Sequence, residues 1–407
     1  MYIERNLETH FIAASGQFPV VLLTGARQVG KTTFLRHIAE ETRSYVSLDL
    51  PIQRELAQTD PELFLQRFKP PILIDEIQYA PQLLPAIKVL ADEARYSARQ
   101  TSNGMFWLTG SQQFEMMKGV TESLAGRVAV VNLMGLSNRE LDARAVAPFL
   151  PTLDRDSSAV PHDLMALYRR IWLGAFPVLS AAPATDRNLF YESYVTTYLE
   201  RDVRALTQVG DLQKFFRFLR ASAARTGQML NYSDLARDAD VSVPTAKAWT
   251  SILLASGLVY LLEPYYNNRS KRMTKTPKLY FLDTGLCSYL TDWLTAENLE
   301  AGAMSGALFE TWCFTELFKS YRHAGMRAPF FYYRDFDQVE IDLVIEADGV
   351  LYPVEFKKSA NPGVHAARHF NKLENLGKPV GKGAIVCMVS DAMPLTRKCI
   401  LVPAGSL

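Results

Sequence analysis

Four cysteines, Cys287, Cys313, Cys387 and Cys399, are scattered through 407 residues, and no two of them form a CxxC pair. That scarcity excludes a disulfide-stapled scaffold and a zinc site built from paired cysteines. An excess of one charge is missing too. Lys+Arg number 44 against 43 Asp+Glu, a net charge of +1, so no global field draws the chain to nucleic acid and any such site must be a local patch. The opening "MYIERNLETHF" carries charges where a signal peptide needs an apolar core, and no apolar run reaches membrane-spanning length. A reducing, cytoplasmic setting without a membrane partner is the expectation. Internal repeats and low-complexity tracts are also missing.

What remains is the balance of a globular chain, 48% hydrophobic and 21% charged, long enough for two or three domains. From Val20 to Val131, short apolar β-type runs ("VVLLT", "YVSLDL", "PILIDE", "MFWLTGS", "VAVVNL") alternate with helical stretches. This pattern predicts a parallel sheet with crossover helices. Prolines and serines cluster between Ala145 and Asp163 and read as a connection. The segment "MLNYSDLARDADVSVPTAKAWTSILLASGLVYLLEPYYNN" has the outline of a winged helix-turn-helix, with Ser233 and Ser242 as N-caps. Beyond it, "GALFETWCFTELFKSY" leads into strand-like runs joined by the turn "ADG". The expected fold is α/β: a parallel-sheet domain over 1–145, a helical linker or lid over 146–225, a winged helix over 226–290, and an α/β module over 291–407.

The stretch "GARQVGKTT" follows the apolar "FPVVLLT" and has the G-x-x-x-x-G-K-T spacing of a phosphate-binding loop. Gly25 and Gly30 permit a path that turns the N–H groups of Ala26, Arg27, Gln28 and Val29 inward, and the next helix adds its positive end. Lys31 would reach the β- and γ-phosphates and Thr32 would hold Mg²⁺, with Thr33 beside it. A plain glycine turn is the competing reading, but strand, spacing and helix coincide. A second apolar strand ends in Asp75 and Glu76. There an Asp binds Mg²⁺ through water and a Glu polarises the attacking water, whereas alone such a pair is often a solvated helix start. A third strand, "FWLTGSQQF", ends in Thr109, Ser111 and Gln112, γ-phosphate sensors or ordinary turn residues. Arg127 is an arginine-finger candidate, in cis or from a neighbouring subunit, against the reading of a surface arginine in a turn.

Toward the far end, Asp342 and Glu355 should lie on adjacent antiparallel strands, with Lys357 on the same face as Glu355 by the period of two. Two carboxylates, completed by Glu310 on the preceding helix, can hold a divalent metal, and a lysine can position water. A hairpin with solvated charges looks similar, although Glu355 is embedded in "LYPVEF", where an unpaired charge is costly to bury. In the winged-helix candidate the second helix offers Lys247 but little else to read bases. The loop after it places Arg269, Lys271, Arg272, Lys275 and Lys278 beside Tyr265 and Tyr266, a composition suited to phosphate contact and base stacking or to a solvated loop.

In "GARQVGKTTFLR", "ILIDEIQYAPQLLPAIK", "LTGSQQF…ESLAGR" and "GLSNREL", and later in "YLERDVRAL", "KLYFLDTGL", "LFETWCFTEL" and "EIDLVIEADGVLYPVEFKKS", the chain resembles the AAA+-type bacterial and archaeal ATPases with a C-terminal DUF4143 domain. The resemblance implies ATP and Mg²⁺ as cofactors, with Gly25, Gly30, Lys31, Thr32, Asp75 and Glu76 at the nucleotide and Arg127 in the "LAGR" turn. A second sensor arginine of the usual type is not evident; Arg201 and Arg204 are substitutes or helix-face salt-bridge residues. The spacing D-(12)-E-x-K resembles the PD-(D/E)xK nuclease core. The expectation is an ATPase that couples nucleotide state to DNA binding or processing, with branched or single-stranded DNA as a partner without sequence preference, and with self-association. The alternatives are a nucleotide-dependent protein-binding adaptor with an inactive nuclease-like fold, and a nuclease for which ATP is only a licence.

Overall fold

The computed structural model describes residues 2–96, 102–110, 119–120, 122–152, 163–182, 184–199, 211–266 and 276–407, with 198 and 199 described by backbone only. Ser111, Gln112, Arg201, Arg204, Arg269, Lys271, Arg272 and Lys275 lie outside this set.

Five parallel strands open the chain: β1 (Val20–Thr24), β2 (Ser44–Ser47), β3 (Ile72–Asp75), β4 (Phe106–Thr109) and β5 (Val128–Asn132), in the order β2-β3-β4-β1-β5. β1, β3 and β4 are buried along their whole length, which is why they read as unbroken apolar runs. Side chains still alternate between faces. Val21 and Leu23 join Phe11, Phe34 and Trp107 on one side, while Val20 and Leu22 join Phe64, Leu84 and Ile87 on the other. Because all five strands run the same way, the residues that follow β1, β3 and β4 gather at one end of the sheet. The register sets Val20 beside Val128, so Arg127 sits at the opposite end.

Short helices then lead to a second unit: the helix Leu212–Ala223, β6 (Gln228–Met229), the helices Tyr232–Ala239 and Val243–Ala255, β7 (Val259–Leu262) and β8 (Lys278–Phe281). Its three strands pair antiparallel in the order β6-β8-β7. Ser242 caps its helix through Thr245 N, as expected. Ser233 does not; the cap is Asn231, whose side chain accepts from Ser233 N at 3.0 Å and Asp234 N at 3.2 Å. Asn is at least as good a cap as Ser.

The C-terminal unit is a six-stranded mixed sheet of β9 (Phe330–Arg334), β10 (Glu340–Ala347), β11 (Val350–Lys357), β12 (Gly383–Cys387), β13 (Met393–Thr396) and β14 (Cys399–Pro403), in the order β13-β14-β12-β11-β10-β9. Asp348 and Gly349 turn β10 into β11 with φ of 51° and 77°, the pair of positive values that a two-residue hairpin turn needs. The helix Ser305–His323 packs on β11 and is buried along most of its length. Phe314 stacks on Tyr280 of β8 at 4.0 Å, and Lys319 Nζ donates to the Leu136 carbonyl beyond β5 at 2.8 Å. This helix touches all three units. Among the described residues no helix is long and apolar enough to cross a membrane, and the four cysteines are free and buried.

Candidate nucleotide site and C-terminal carboxylate cluster

The loop after β1 has the backbone that its glycines allow. Gly25 has φ of 145° and Gly30, at the mouth of the helix Lys31–Ile38, has 90°; both values suit glycine. A Cβ on Gly25 would stand 2.2 Å from the Leu133 carbonyl oxygen, so the first turn admits no side chain. Lys31 is buried and its Nζ donates to the carbonyls of Gly25 at 3.1 Å and Ala26 at 2.9 Å. The ammonium is thus held inside the loop by neutral acceptors, which phosphate oxygens would outcompete.

The structure brings Thr32 to Asp75 across the inserted strand β4: Thr32 Oγ1 donates to Asp75 Oδ1 at 2.9 Å. Asp75 also accepts from Thr109 and, at 3.1 Å, from the Tyr45 hydroxyl. Glu76 adopts a left-handed conformation with φ of 61°, its N–H donates to Thr109 Oγ1 at 2.9 Å, and Gln78 bonds its carboxylate. Thr109 therefore positions both acids rather than being spent as a turn residue. A hydroxyl beside a buried carboxylate is the hard-oxygen donor set that Mg²⁺ takes, so these residues fit the ion. Tyr45 was not legible: it lies on the edge strand β2 with no motif around it.

Arg127 is not brought to the loop. Its guanidinium forms a two-pronged pair with Asp92, at 2.9 and 3.1 Å, and it stands at the end of the sheet away from Lys31 because it precedes β5. A finger acting within one chain is not what this placement provides.

In the C-terminal sheet, Asp342 and Glu355 do lie on neighbouring strands, and Lys357 faces both, with Nζ 2.6 Å from Glu355 and 3.7 Å from Asp342. Phe356 N donates to Asp342 at 3.0 Å. Burial, reinforced by the Asp342 charge, pushes the Glu355 carboxyl up to about 8. Glu310 is close enough for burial and Asp342 to raise it as well, against the pull of Lys278. Yet it does not complete a metal centre. Glu310 accepts from the Tyr280 hydroxyl at 2.7 Å and lies 3.4 Å from Lys278 Nζ. Among the described residues no three metal-type ligands are arranged to hold an ion, and Lys278 and Lys357 pair with these carboxylates instead, so the expected metal set Glu310, Asp342 and Glu355 is not assembled here.

Lys278 also corrects the expectation for the basic loop. It is 2% exposed and paired with Glu340 at 2.5 Å as well as with Glu310, so it is not a phosphate contact. Tyr265 is buried and is not a stacking platform. The missed signal was position: Lys278 opens the apolar run "KLYF", where the alternation of β8 carries it inward.

Residues 17–142 match the family described as AAA domain, 165–297 a domain of unknown function (DUF8612) and 305–407 a domain of unknown function (DUF4143). Uncharacterized proteins of Mycobacterium tuberculosis and Mycobacterium bovis are each 30% identical over 413 residues, covering 100% of this chain and 85% of the relative. A solved Walker-type ATPase of Pyrococcus abyssi is 17% identical with a TM-score of 0.44, covering 71% of this chain and 96% of that one. With the full-length relatives and the loop, acid strand and C-terminal sheet described above, the chain belongs to the AAA-type P-loop ATPases that carry a C-terminal DUF4143 domain.

Proposed function

We propose that this nucleotide-binding ATPase hydrolyses ATP with Mg²⁺ and uses nucleotide state to reposition a C-terminal half that handles DNA. Bound Mg²⁺ would supply charge neutralisation between the phosphates. The loop amides and Lys31 grip the triphosphate, Asp75 and Thr32 present oxygens, and Glu76, fixed by Thr109, orients the attacking water for in-line displacement. Gln78 holds the Glu76 carboxylate until the water arrives.

One observation carries the coupling. The segment after β5 touches the phosphate loop at Gly25 and the C-terminal helix at Lys319, and Glu316 of that helix accepts from Asn138 N at 2.7 Å. A shift of the loop on phosphate release therefore bears on the helix that carries Glu310. The element order α-β-α-α-β-β of residues 212–281 supports a winged helix between them, and the domain organisation read from the sequence is retained as part of this proposal. Arg127, facing away from its own loop, suits a finger offered to a neighbouring copy in a homo-oligomer.

A second reading is favoured by the lysines seated among Glu310, Asp342 and Glu355: a nucleotide-dependent adaptor whose nuclease-like sheet is inert. Phosphate release measured with branched, single-stranded and duplex DNA separates the two. Stimulation by one DNA form, lost in Glu76→Gln while ATP binding persists, supports the first; a rate indifferent to all three supports the adaptor.

A further inference from the structure

Hydroxyls from three different elements hold Asp75. Its Oδ1 accepts from Thr32 and Thr109, whereas its Oδ2 accepts from Tyr45, at 3.1 Å. Thr32 belongs to the helix behind the loop and Thr109 ends β4; Tyr45 comes from outside both. β2 is the edge of the sheet and pairs with β3, with Tyr45 beside Leu73 and Ser47 beside Asp75. Side chains two apart share a face of a strand, so Asp75 lies one diagonal step from Tyr45, and a tyrosine is long enough to cover that step.

The hydroxyl settles what the aspartate itself leaves open. The terminal torsion of an aspartate has no sharp staggered well, so its hydrogen-bond partners set the plane of the carboxylate. Thr32 and Thr109 both draw on one oxygen and leave the other to swing. Tyr45 pins that second oxygen. The ring adds little to the core: it is 42% exposed, and Arg36 of the helix Lys31–Ile38 lies over it, with Cζ 5.0 Å from the centroid. Its polar tip nevertheless ends on the carboxylate that would be offered to Mg²⁺.

We infer that Tyr45 is a positioning residue for the metal ion, acting through Asp75 by fixing the plane in which that carboxylate meets Mg²⁺. The inference rests on the nucleotide reading of the loop and deepens it: a determinant of metal affinity lies on an edge strand outside the loop and the acid strand.

Calorimetry of ATP binding, once with Mg²⁺ and once with EDTA, reads the metal-dependent part of the affinity as the ratio of the two constants. The wild type should bind more tightly with Mg²⁺. Tyr45→Phe removes one oxygen and keeps the ring under Arg36. It should shrink the ratio by about tenfold while moving ATP in EDTA less than about twofold, the usual cost of losing an outer-shell partner of a metal ligand. Hydrolysis should follow, with the Mg²⁺ concentration at half-maximal rate rising by about the same factor and the rate at saturating Mg²⁺ staying within about threefold of wild type. Because the ratio compares one protein with itself, a smaller folded fraction cannot imitate it. An unchanged ratio in Tyr45→Phe, or equal weakening with and without Mg²⁺, overturns the inference and leaves the nucleotide reading intact. A wild type that binds ATP equally in both conditions overturns the magnesium reading together with the inference.

Discussion

The phosphate loop and the C-terminal carboxylate cluster both hold a buried lysine, and they hold it in opposite ways. Lys31 donates to two carbonyls, neutral acceptors that the oxygens of an incoming phosphate can displace. Lys278 and Lys357 rest on carboxylates, which cancel them, and burial raises the acids that remain. The first arrangement is poised for a ligand. The second is internally neutralised, and a metal entering it must first displace an ammonium group.

The most severe break in that comparison is Lys31→Ala. With no other ammonium held inside the loop among the described residues, phosphate release should fall by about a hundredfold or more, the cost of losing a transition-state charge contact. Release within about threefold of wild type would show that the buried lysine is structural, as its C-terminal counterparts are.

Next comes Lys278→Ala, for which folding rather than catalysis should suffer. Removing one partner of a buried ion pair costs about 3 kcal/mol because the remaining charge is stranded. Glu340 keeps Arg334 at 3.4 Å, but among the described residues Glu310 keeps only the Tyr280 hydroxyl. Glu310 can escape by taking a proton, so the loss in thermal midpoint should be larger at pH 9 than at pH 6. An equal loss at both would mean that Glu310 is not the group stranded.

The contrast also marks how far the sequence could be read. The five-stranded sheet and its loop were legible because continuous apolar runs, a glycine spacing and a helix start all constrain the same short segment. The hairpin of β10 and β11 was legible for a similar reason: period two and the "ADG" turn fix which side chains share a face. What escaped depends on contacts between distant segments. Thr109 and Tyr45 reach Asp75 only because β4 and β2 flank β3. Lys278 reads as one more basic residue until β8 is docked on the C-terminal helix, and Arg127 looks adjacent to the site until the register puts it at the other end of the sheet.

Titration separates the cluster from the buried seam that joins it to the ATPase domain, and the two signs are opposite. Glu355 is raised to about 8 in the fold against an ordinary value near 4.5, so the folded state binds the extra proton between those values; stability is full below the lower one and declines as pH rises through the upper. Glu355→Gln should therefore gain thermal stability relative to wild type between pH 6 and pH 9. His323 lies 3.5 Å from Glu140, with both ring nitrogens buried and unbonded, and burial pushes it down to about 4 despite the pull of that carboxylate. Its neutral form is the folded one, so stability is full above about 6.5 and declines toward pH 4. His323→Gln should flatten the acid limb and leave the alkaline limb to Glu355. Midpoints of wild type and both variants across pH 4 to 9 would check this, and a single variant that flattens both limbs would show that the seam and the cluster titrate as one unit, which removes the distinction drawn between them.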